Sequence, residues 1–104
     1  MAGYTYLWEF IVKPQHSDEF QRLYGPTGPW VALFRRAPGY IDTLLLRDRA
    51  NPQRFITLDR WKSADARSAF LAAFSAEYAA LDARCAHFTG RETPVGEFDE
   101  AAPQ

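Results

Sequence analysis

Three residues on one predicted strand are the best candidates for chemistry: Thr57, Asp59 and Trp61. They alternate along residues 54–62, and side chains two positions apart on a strand point to the same face of the sheet. A carboxylate on an otherwise apolar face is partly desolvated, which raises its pKa toward the range of a general acid–base catalyst. The alternative is a structural ion pair between this aspartate and an arginine, with Arg36, Arg60 and Arg67 as the candidates.

Glu9 has the same two interpretations, because it is a carboxylate within an apolar and aromatic strand predicted over residues 4–13. Trp61 either lines a cavity or packs in the core, and a buried indole N–H requires a hydrogen-bond partner in both cases. We therefore take Asp59 and Trp61 as the candidate catalytic residues. Glu9 and Thr57 are candidate substrate-binding residues.

Aromatic residues are frequent, with three tryptophans, five tyrosines and eight phenylalanines in 104 residues. Such a content predicts that some aromatic area lines a pocket or a subunit contact. Tyr24, Trp30 and Tyr78 flank the predicted helices, where they either stack on a flat aromatic ligand or pack in the core. We predict a small aromatic ligand, with these three residues as further substrate-binding candidates.

The composition and motifs argue against several function classes. Twelve basic residues balance thirteen acidic residues, so the chain has no cationic field to attract nucleic acid or an anionic membrane. Cys85 and His87 are two positions apart on a predicted helix and do not share a face, which argues against a metal site or a Cys–His dyad. The sequence has no phosphate-binding loop and no Ser-His-Asp pattern. We expect a protein that uses neither a metal nor a flavin cofactor.

The cellular location is predicted from signals that the sequence lacks. The single cysteine cannot form an internal disulfide. The longest apolar run, residues 69–74, is too short to cross a bilayer. Residues 1–6 have none of the basic and apolar character of a signal peptide. The expected location is the cytoplasm.

The hydrophobic pattern predicts one α+β domain over residues 1–98, followed by a polar tail over residues 99–104. Strands are expected at residues 4–13, 40–47, 54–62 and 91–98. The first helix is predicted in two pieces, residues 16–24 and 29–37, with Ser17 as a cap. The segment Gly25–Pro29 between them is either an opening over a cavity or a requirement of the fold. The second helix is predicted from Ser63, its cap, to about Phe88.

The predicted sheet is apolar on both of its faces. The first strand carries aromatic residues on one face and Leu7 and Ile11 on the other, and the second strand carries Leu44 and Leu46 on one face and Leu45 on the other. Two helices can cover only one face of a four-stranded sheet. Because a large uncovered apolar face marks an interface, we expect a homodimer that associates sheet to sheet.

Three segments of the chain match a pattern known from one protein family. They are Trp-Glu-Phe-Ile-Val-Lys-Pro at residues 8–14, Ala-Pro-Gly-Tyr at residues 37–40, and Asp-Arg-Trp-Lys-Ser-Ala-Asp-Ala at residues 59–66. With these segments the chain, over about residues 4–98, resembles the antibiotic biosynthesis monooxygenase family of dimeric α/β barrels. The resemblance implies a ferredoxin-like βαββαβ fold, a four-stranded antiparallel sheet with helices on one face, and a ligand cavity in each subunit.

The family includes oxygenases that act on electron-rich polycyclic phenols, anthrones and quinols without metal or flavin. Trp61 matches the tryptophan that lines the cavity in the anthrone-oxidising branch, whereas Thr57 and Arg67 stand where that branch has an asparagine and a tyrosine. A second branch degrades haem with an asparagine, a tryptophan and a histidine. This chain has other residues at those positions, which excludes haem degradation: Leu7, Phe70 and Ala80.

The resemblance implies an oxidoreductase, namely a cofactor-independent monooxygenase that acts on a small aromatic, quinol or polyketide-like substrate. Two alternatives stay open, the first because Thr57 and Arg67 depart from the anthrone-oxidising pattern and the second because related barrels carry out proton transfer on similar substrates. One is a non-catalytic, small-molecule-binding accessory homodimer. The other is an isomerase or cyclase, which carries out proton transfer without O2.

Overall fold

The computed structural model describes residues 3–101 and confirms the predicted β-α-β-β-α-β order. The strands are β1 (Tyr4–Val12), β2 (Tyr40–Arg47), β3 (Arg54–Trp61) and β4 (Thr89–Asp99). The helices are α1 (Ser17–Tyr24), α2 (Pro29–Phe34), α3 (Ala64–Ala73) and α4 (Ser75–Cys85). The strands form one antiparallel sheet in the order β2-β3-β1-β4, so β3 and β1 are the central strands.

The inner face of the sheet packs against the helices and forms the core. On β3 every second residue is buried, and these residues are Phe55, Thr57, Asp59 and Trp61. Their partners on β1 also face inward, because antiparallel pairing places opposite residues on the same face. The structure therefore confirms that Thr57, Asp59 and Trp61 share one face.

The first helix is broken, as predicted, between Tyr24 and Pro29. Ser17 does not cap it: α1 begins at Ser17 itself, whose hydroxyl oxygen accepts a hydrogen bond of 2.9 Å from Arg47. The second piece ends at Phe34, three residues before the predicted end, because residues 35–37 form a turn ahead of Pro38. Both predictions were therefore wrong in detail.

The second helical segment contains a break that was not predicted. Phe74 has φ −118° and ψ 27°, outside the helical range, and separates α3 from α4. The helical spacing of apolar residues continues across Phe74 without proline or glycine, so the sequence gives no signal of the break. The prediction of Ser63 as N-cap is correct, since its hydroxyl accepts a hydrogen bond of 3.0 Å from the backbone N–H of Ala66.

Strand β4 lies at the edge of the sheet, where Pro94 is tolerated because an edge strand need not donate every backbone N–H. The pairing with β1 shifts register between Leu7 and Trp8, next to this proline. The strand is longer than predicted, and the N–H of Glu100 donates a hydrogen bond of 2.8 Å to the carbonyl oxygen of Gly3. Residues 102–104 of the predicted tail lie outside the described residues.

The outer face of the sheet is not covered by the helices. Leu44 and Leu46 on β2 and Phe98 on β4 are 53%, 46% and 49% exposed. Half-buried Leu7 and Ile56 lie between them on the central strands. Within residues 3–101, no helix has the length and apolar character needed to cross a membrane.

Candidate functional site

A cavity of about 260 Å³ lies between the inner face of the sheet and the helices. All four strands and all four helices of the described chain contribute to its wall. Half of the wall is aromatic: Trp8, Phe10, Tyr24, Trp30, Phe34, Trp61, Phe70 and Tyr78. Such a wall favours a flat, largely apolar ligand that stacks on the rings.

Asp59 is the buried carboxyl group of this wall, with 9% of its surface exposed. Its Oδ1 atom accepts a hydrogen bond of 2.7 Å from the hydroxyl of Thr43. Burial raises the pKa of Asp59 to about 6, while the hydrogen bond from Thr43 and the positive charge of Arg67 act in the opposite direction. The site therefore holds a carboxyl group that can both accept and return a proton near neutral pH.

No arginine of the described residues forms an ion pair with Asp59. Arg60 instead donates two hydrogen bonds of 2.7 Å to Asp42 on the outer face. The Arg67 guanidinium lies 3.9 Å from the centre of the Tyr6 ring. The third candidate, Arg36, is 3.8 Å from Glu77 at the surface. The geometry thus favours a functional role for Asp59 over a structural ion pair.

Trp61 is 1% exposed and lies next to Asp59 on the inner face of β3. Its ring packs against Phe34 and Tyr40 in edge-on contacts, with centroids 5.7 Å and 5.3 Å away. Within residues 3–101 its indole N–H has no acceptor, and neither has that of Trp30. A buried donor without an acceptor is unfavourable, which makes the N–H of Trp61 a candidate for pairing with a ligand oxygen.

Tyr24, Trp30 and Tyr78, three of the predicted substrate-binding residues, belong to the helical side of the wall. Tyr24 stacks on Phe20 at 4.3 Å, and Trp30 meets Tyr78 edge-on at 5.1 Å. Burial raises the pKa of both tyrosine hydroxyls, which therefore stay protonated at neutral pH. Thr57 completes the predicted set on the strand side, opposite Trp8 of β1.

Glu9, predicted as a substrate-binding residue, does not line the cavity. It lies on the outer face of β1, where its Oε2 atom accepts a hydrogen bond of 2.6 Å from Arg54. Both faces of β1 are apolar, so the sequence did not show which one meets the helices. The carboxylate is therefore part of a surface ion pair rather than of the site.

Ten other wall residues were not predicted: Trp8, Phe10, Val31, Phe34, Thr43, Arg67, Phe70, Leu71, Asp82 and Glu92. Trp8 belongs to the alternating aromatic face of β1, so the strand pattern contains a signal for it. Asp82 and Glu92 are exposed and mark the side on which the cavity opens to solvent. Partial desolvation at the cavity, together with the charge of Asp82, raises the pKa of Glu92.

A metal site is not evident in the part of the chain that the structure describes, since nowhere do three potential ligands gather. The rings of His16 and His87 meet edge-on, with centroids 5.6 Å apart. Neither histidine lines the cavity.

Comparison with known proteins gives the same fold. The chain superposes on the monooxygenase ActVA-Orf6 of Streptomyces coelicolor, solved in complex with nanaomycin D, with a TM-score of 0.78 and 17% identity over 99% of this chain and 91% of that chain. A conserved protein from Methanosarcina mazei superposes with a TM-score of 0.73 and 16% identity, over 97% and 95% of the two chains. At such identities the likeness shows the fold alone.

A third solved structure is more similar in sequence. It is a variant of SnoaB, a cofactor-independent oxygenase from Streptomyces nogalater, with a TM-score of 0.63 and 26% identity over 98% of this chain and 94% of that chain. No curated protein matches the sequence. The family model of antibiotic biosynthesis monooxygenase matches residues 4–80, which is more than half of the chain. The protein therefore belongs to the antibiotic biosynthesis monooxygenase family.

Proposed function

We propose that the protein is a cofactor-independent monooxygenase that acts on a small aromatic, quinol or polyketide-like substrate. The observation that carries this proposal is Asp59, a buried carboxyl group in the wall of an aromatic cavity, with its pKa raised to about 6. Near neutral pH this group is ionised and is a stronger base than an exposed aspartate. The oxygenase SnoaB, at 26% identity, lends further support.

For an anthrone, the proposed reaction converts a ring methylene group and O2 into a ring carbonyl and water. Asp59 takes one methylene proton, the resulting anion transfers one electron to O2, and the two radicals join in a C–O bond. Asp59 returns its proton to the terminal oxygen of the peroxide and then takes the second hydrogen of the carbon as a proton. The O–O bond breaks as the carbonyl forms, and the departing hydroxide takes this proton to become water. The methylene carbon supplies all the electrons that O2 accepts.

The cavity wall contributes to this sequence in two ways. The aromatic side chains exclude water, which strengthens electrostatic interactions and protects the anion from reprotonation by solvent. The unpartnered N–H of Trp61 is a donor for the substrate oxygen on which negative charge develops after deprotonation. Because Asp59 and Trp61 are two residues apart on one strand face, a single aromatic ligand can meet both.

The proposal is tested by measuring oxygen consumption with a panel of hydroquinones and anthrones. We expect Asp59→Asn to lower kcat by about 10²–10⁴-fold, the range for loss of a general base. Trp61→Phe is expected to lower kcat by about 10²-fold, because it removes a donor to the developing charge. Asp65→Asn, an exposed aspartate in the first turn of α3, is the matched control and should retain full activity.

Absence of turnover across the panel would contradict a monooxygenase, whereas full activity of Asp59→Asn would contradict Asp59 as the base. A non-catalytic accessory role is favoured by Thr57 and Arg67, which replace the asparagine and tyrosine of the anthrone-oxidising pattern. That role predicts a ligand-dependent rise in melting temperature without product. An isomerase or cyclase would instead give product when O2 is removed.

We further propose that the protein works as a homodimer in which two outer sheet faces meet. The exposed leucines of β2 and Phe98 of β4 support this proposal, because a monomer would leave them in water. Closure of two sheets would also hold β2 and β3, and with them Asp59, rigidly against the helices.

A further inference from the structure

We propose that Thr43, held in place by Tyr40, is a positioning residue that fixes the orientation of the Asp59 carboxyl group in the cavity wall. The evidence for the hydrogen bonds from Tyr40 to Thr43 and from Thr43 to Asp59 is the geometry of these three side chains. Their consequence for turnover rests on the proposed function. Neither Thr43 nor Tyr40 was a candidate from the sequence.

Thr43 lies directly across from Asp59 in the pairing of β2 with β3. Opposite side chains in such a pair are within reach of each other, so the backbone register alone brings hydroxyl and carboxyl together. Thr43 is 6% exposed and β-branched, which restricts its side-chain rotation. Its hydroxyl donates to Oδ1 of Asp59 at 2.7 Å.

Tyr40 controls the direction of this hydroxyl. Its Oη atom lies 2.7 Å from Oγ1 of Thr43. A threonine hydroxyl has one hydrogen, and that hydrogen is used on Asp59, so the tyrosine is the donor in this second contact. The Tyr40 ring is in turn held between Phe34 and Trp61, with centroids at 5.6 Å and 5.3 Å.

A β-bulge makes the arrangement possible. Residues three positions apart on a regular strand point to opposite faces. The register between β2 and β3 shifts between Tyr40 and Asp42, so one extra residue is accommodated, and both Tyr40 and Thr43 face inward. A regular strand would have placed Tyr40 on the outer face, away from the carboxyl group.

The result is a carboxyl group with two different oxygen atoms. Oδ1 is occupied by Thr43, whereas residues 3–101 provide no hydrogen-bond donor to Oδ2. Oδ2 is therefore the atom available to a substrate proton. The other titratable or charged groups that face Asp59 are Tyr6 from β1, Arg67 from α3 and Tyr78 from α4.

The test measures the pH titration of Asp59 in the intact protein from the NMR chemical shift of its carboxyl carbon. The signal that disappears in Asp59→Asn identifies this carbon. Because the hydrogen bond stabilises the ionised form, Thr43→Val should raise the midpoint by about one pH unit. Thr43→Ser keeps the hydroxyl and should stay within about 0.3 of the parent midpoint. Tyr40→Phe should give a smaller rise, because it only frees the rotation of the threonine hydroxyl.

The double variant Tyr40→Phe/Thr43→Val separates an indirect from a direct effect of Tyr40. If Tyr40 acts through Thr43, the double variant should titrate like Thr43→Val alone. An unchanged midpoint in Thr43→Val, or a full additional shift in the double variant, would overturn the inference. If the buried valine prevents folding, the titration midpoint of Tyr40→Phe alone tests the inference.

Activity distinguishes this inference from the proposed function. If Asp59 is the base, the acid limb of kcat/KM should move to higher pH in Thr43→Val, together with the NMR midpoint. A midpoint that moves while the activity limb stays would support the hydrogen-bond chain and contradict Asp59 as the base. A midpoint that does not move would overturn the positioning role while leaving the oxygenase proposal intact.

Discussion

Asp59 holds its proton more tightly in the folded protein than in the unfolded chain, because burial raises its pKa from 3.8 to about 6. Between these two values the folded state binds more protons than the unfolded state, so stability falls as pH rises and stays lowered above pH 6. Retention of such a group at an unfavourable position is typical of functional sites. The core would be more stable without this charge.

We therefore expect Asp59→Asn to increase the free energy of unfolding by about 1–3 kcal/mol at pH 7.5, from a shift of roughly two pKa units. At pH 4.5 the folded parent is protonated at this position, and the gain should shrink to about 1 kcal/mol or less. Urea unfolding at both pH values measures the difference, with Asp65→Asn as the exposed control. A variant less stable than the parent at pH 7.5 would contradict this prediction.

The candidate site was predictable where it depends on strand alternation and not where it depends on register. Alternation places Thr57, Asp59 and Trp61 on one face, because the period of two is independent of neighbouring strands. Thr43 could not be found this way. Its contact with Asp59 depends on how β2 pairs with β3, and its link to Tyr40 depends on a bulge, and neither leaves a periodic signal in the sequence.

At the scale of elements, the break between α1 and α2 shapes the cavity, since it places Tyr24 and Trp30 on the wall with ring centroids 5.8 Å apart. Gly28 is required there by close packing. A Cβ atom at this position would lie 2.3 Å from the carbonyl oxygen of Leu23 and 2.4 Å from that of Arg22. Backbone oxygens cannot rotate away as a side chain can, so the two helices would have to separate.

We expect Gly28→Ala to lower the free energy of unfolding by about 1–3 kcal/mol, the usual cost of overpacking. Gly90→Ala is the matched control, because its Cβ would meet only the oxygen of Ile11 at 3.9 Å and should change stability little. Thermal unfolding followed by circular dichroism compares the two variants. Equal melting temperatures for Gly28→Ala and Gly90→Ala would show that the break tolerates a side chain.

The elements differ in how far the sequence specified them. The glycines and prolines of the segment Gly25–Pro29 interrupt the helix, because neither residue type is compatible with a continuous helix at these positions. The break at Phe74 has no such residue and is visible only in its backbone angles, φ −118° and ψ 27°. Tertiary packing decides such a break, and single-sequence periodicity does not report it.

At the scale of the whole molecule, the balance between the two faces of the sheet is the dominant feature. The inner face is closed by four helices, while the outer face mixes exposed leucines with ion pairs such as Arg60–Asp42 and Arg54–Glu9. Paired charges next to apolar side chains are a common composition for a protein interface. Such a surface suits a second copy, because a two-fold axis brings the same patch to both sides.

Leu44 is the residue that tests this association most directly, since it is 53% exposed in the single chain and central to the β2 edge of the outer face. We expect the parent protein to sediment as a dimer at micromolar concentration, and Leu44→Glu to raise the dimer dissociation constant by about 10²-fold, because a charge would be buried without a partner. The monomer fold should tolerate the change because the side chain is solvent-exposed there. Ala79→Glu, on the exposed side of α4, adds the same charge away from the sheet and should leave the sedimentation coefficient unchanged. If the parent protein sediments as a monomer at this concentration, the homodimer proposal is contradicted and no longer accounts for the exposed leucines.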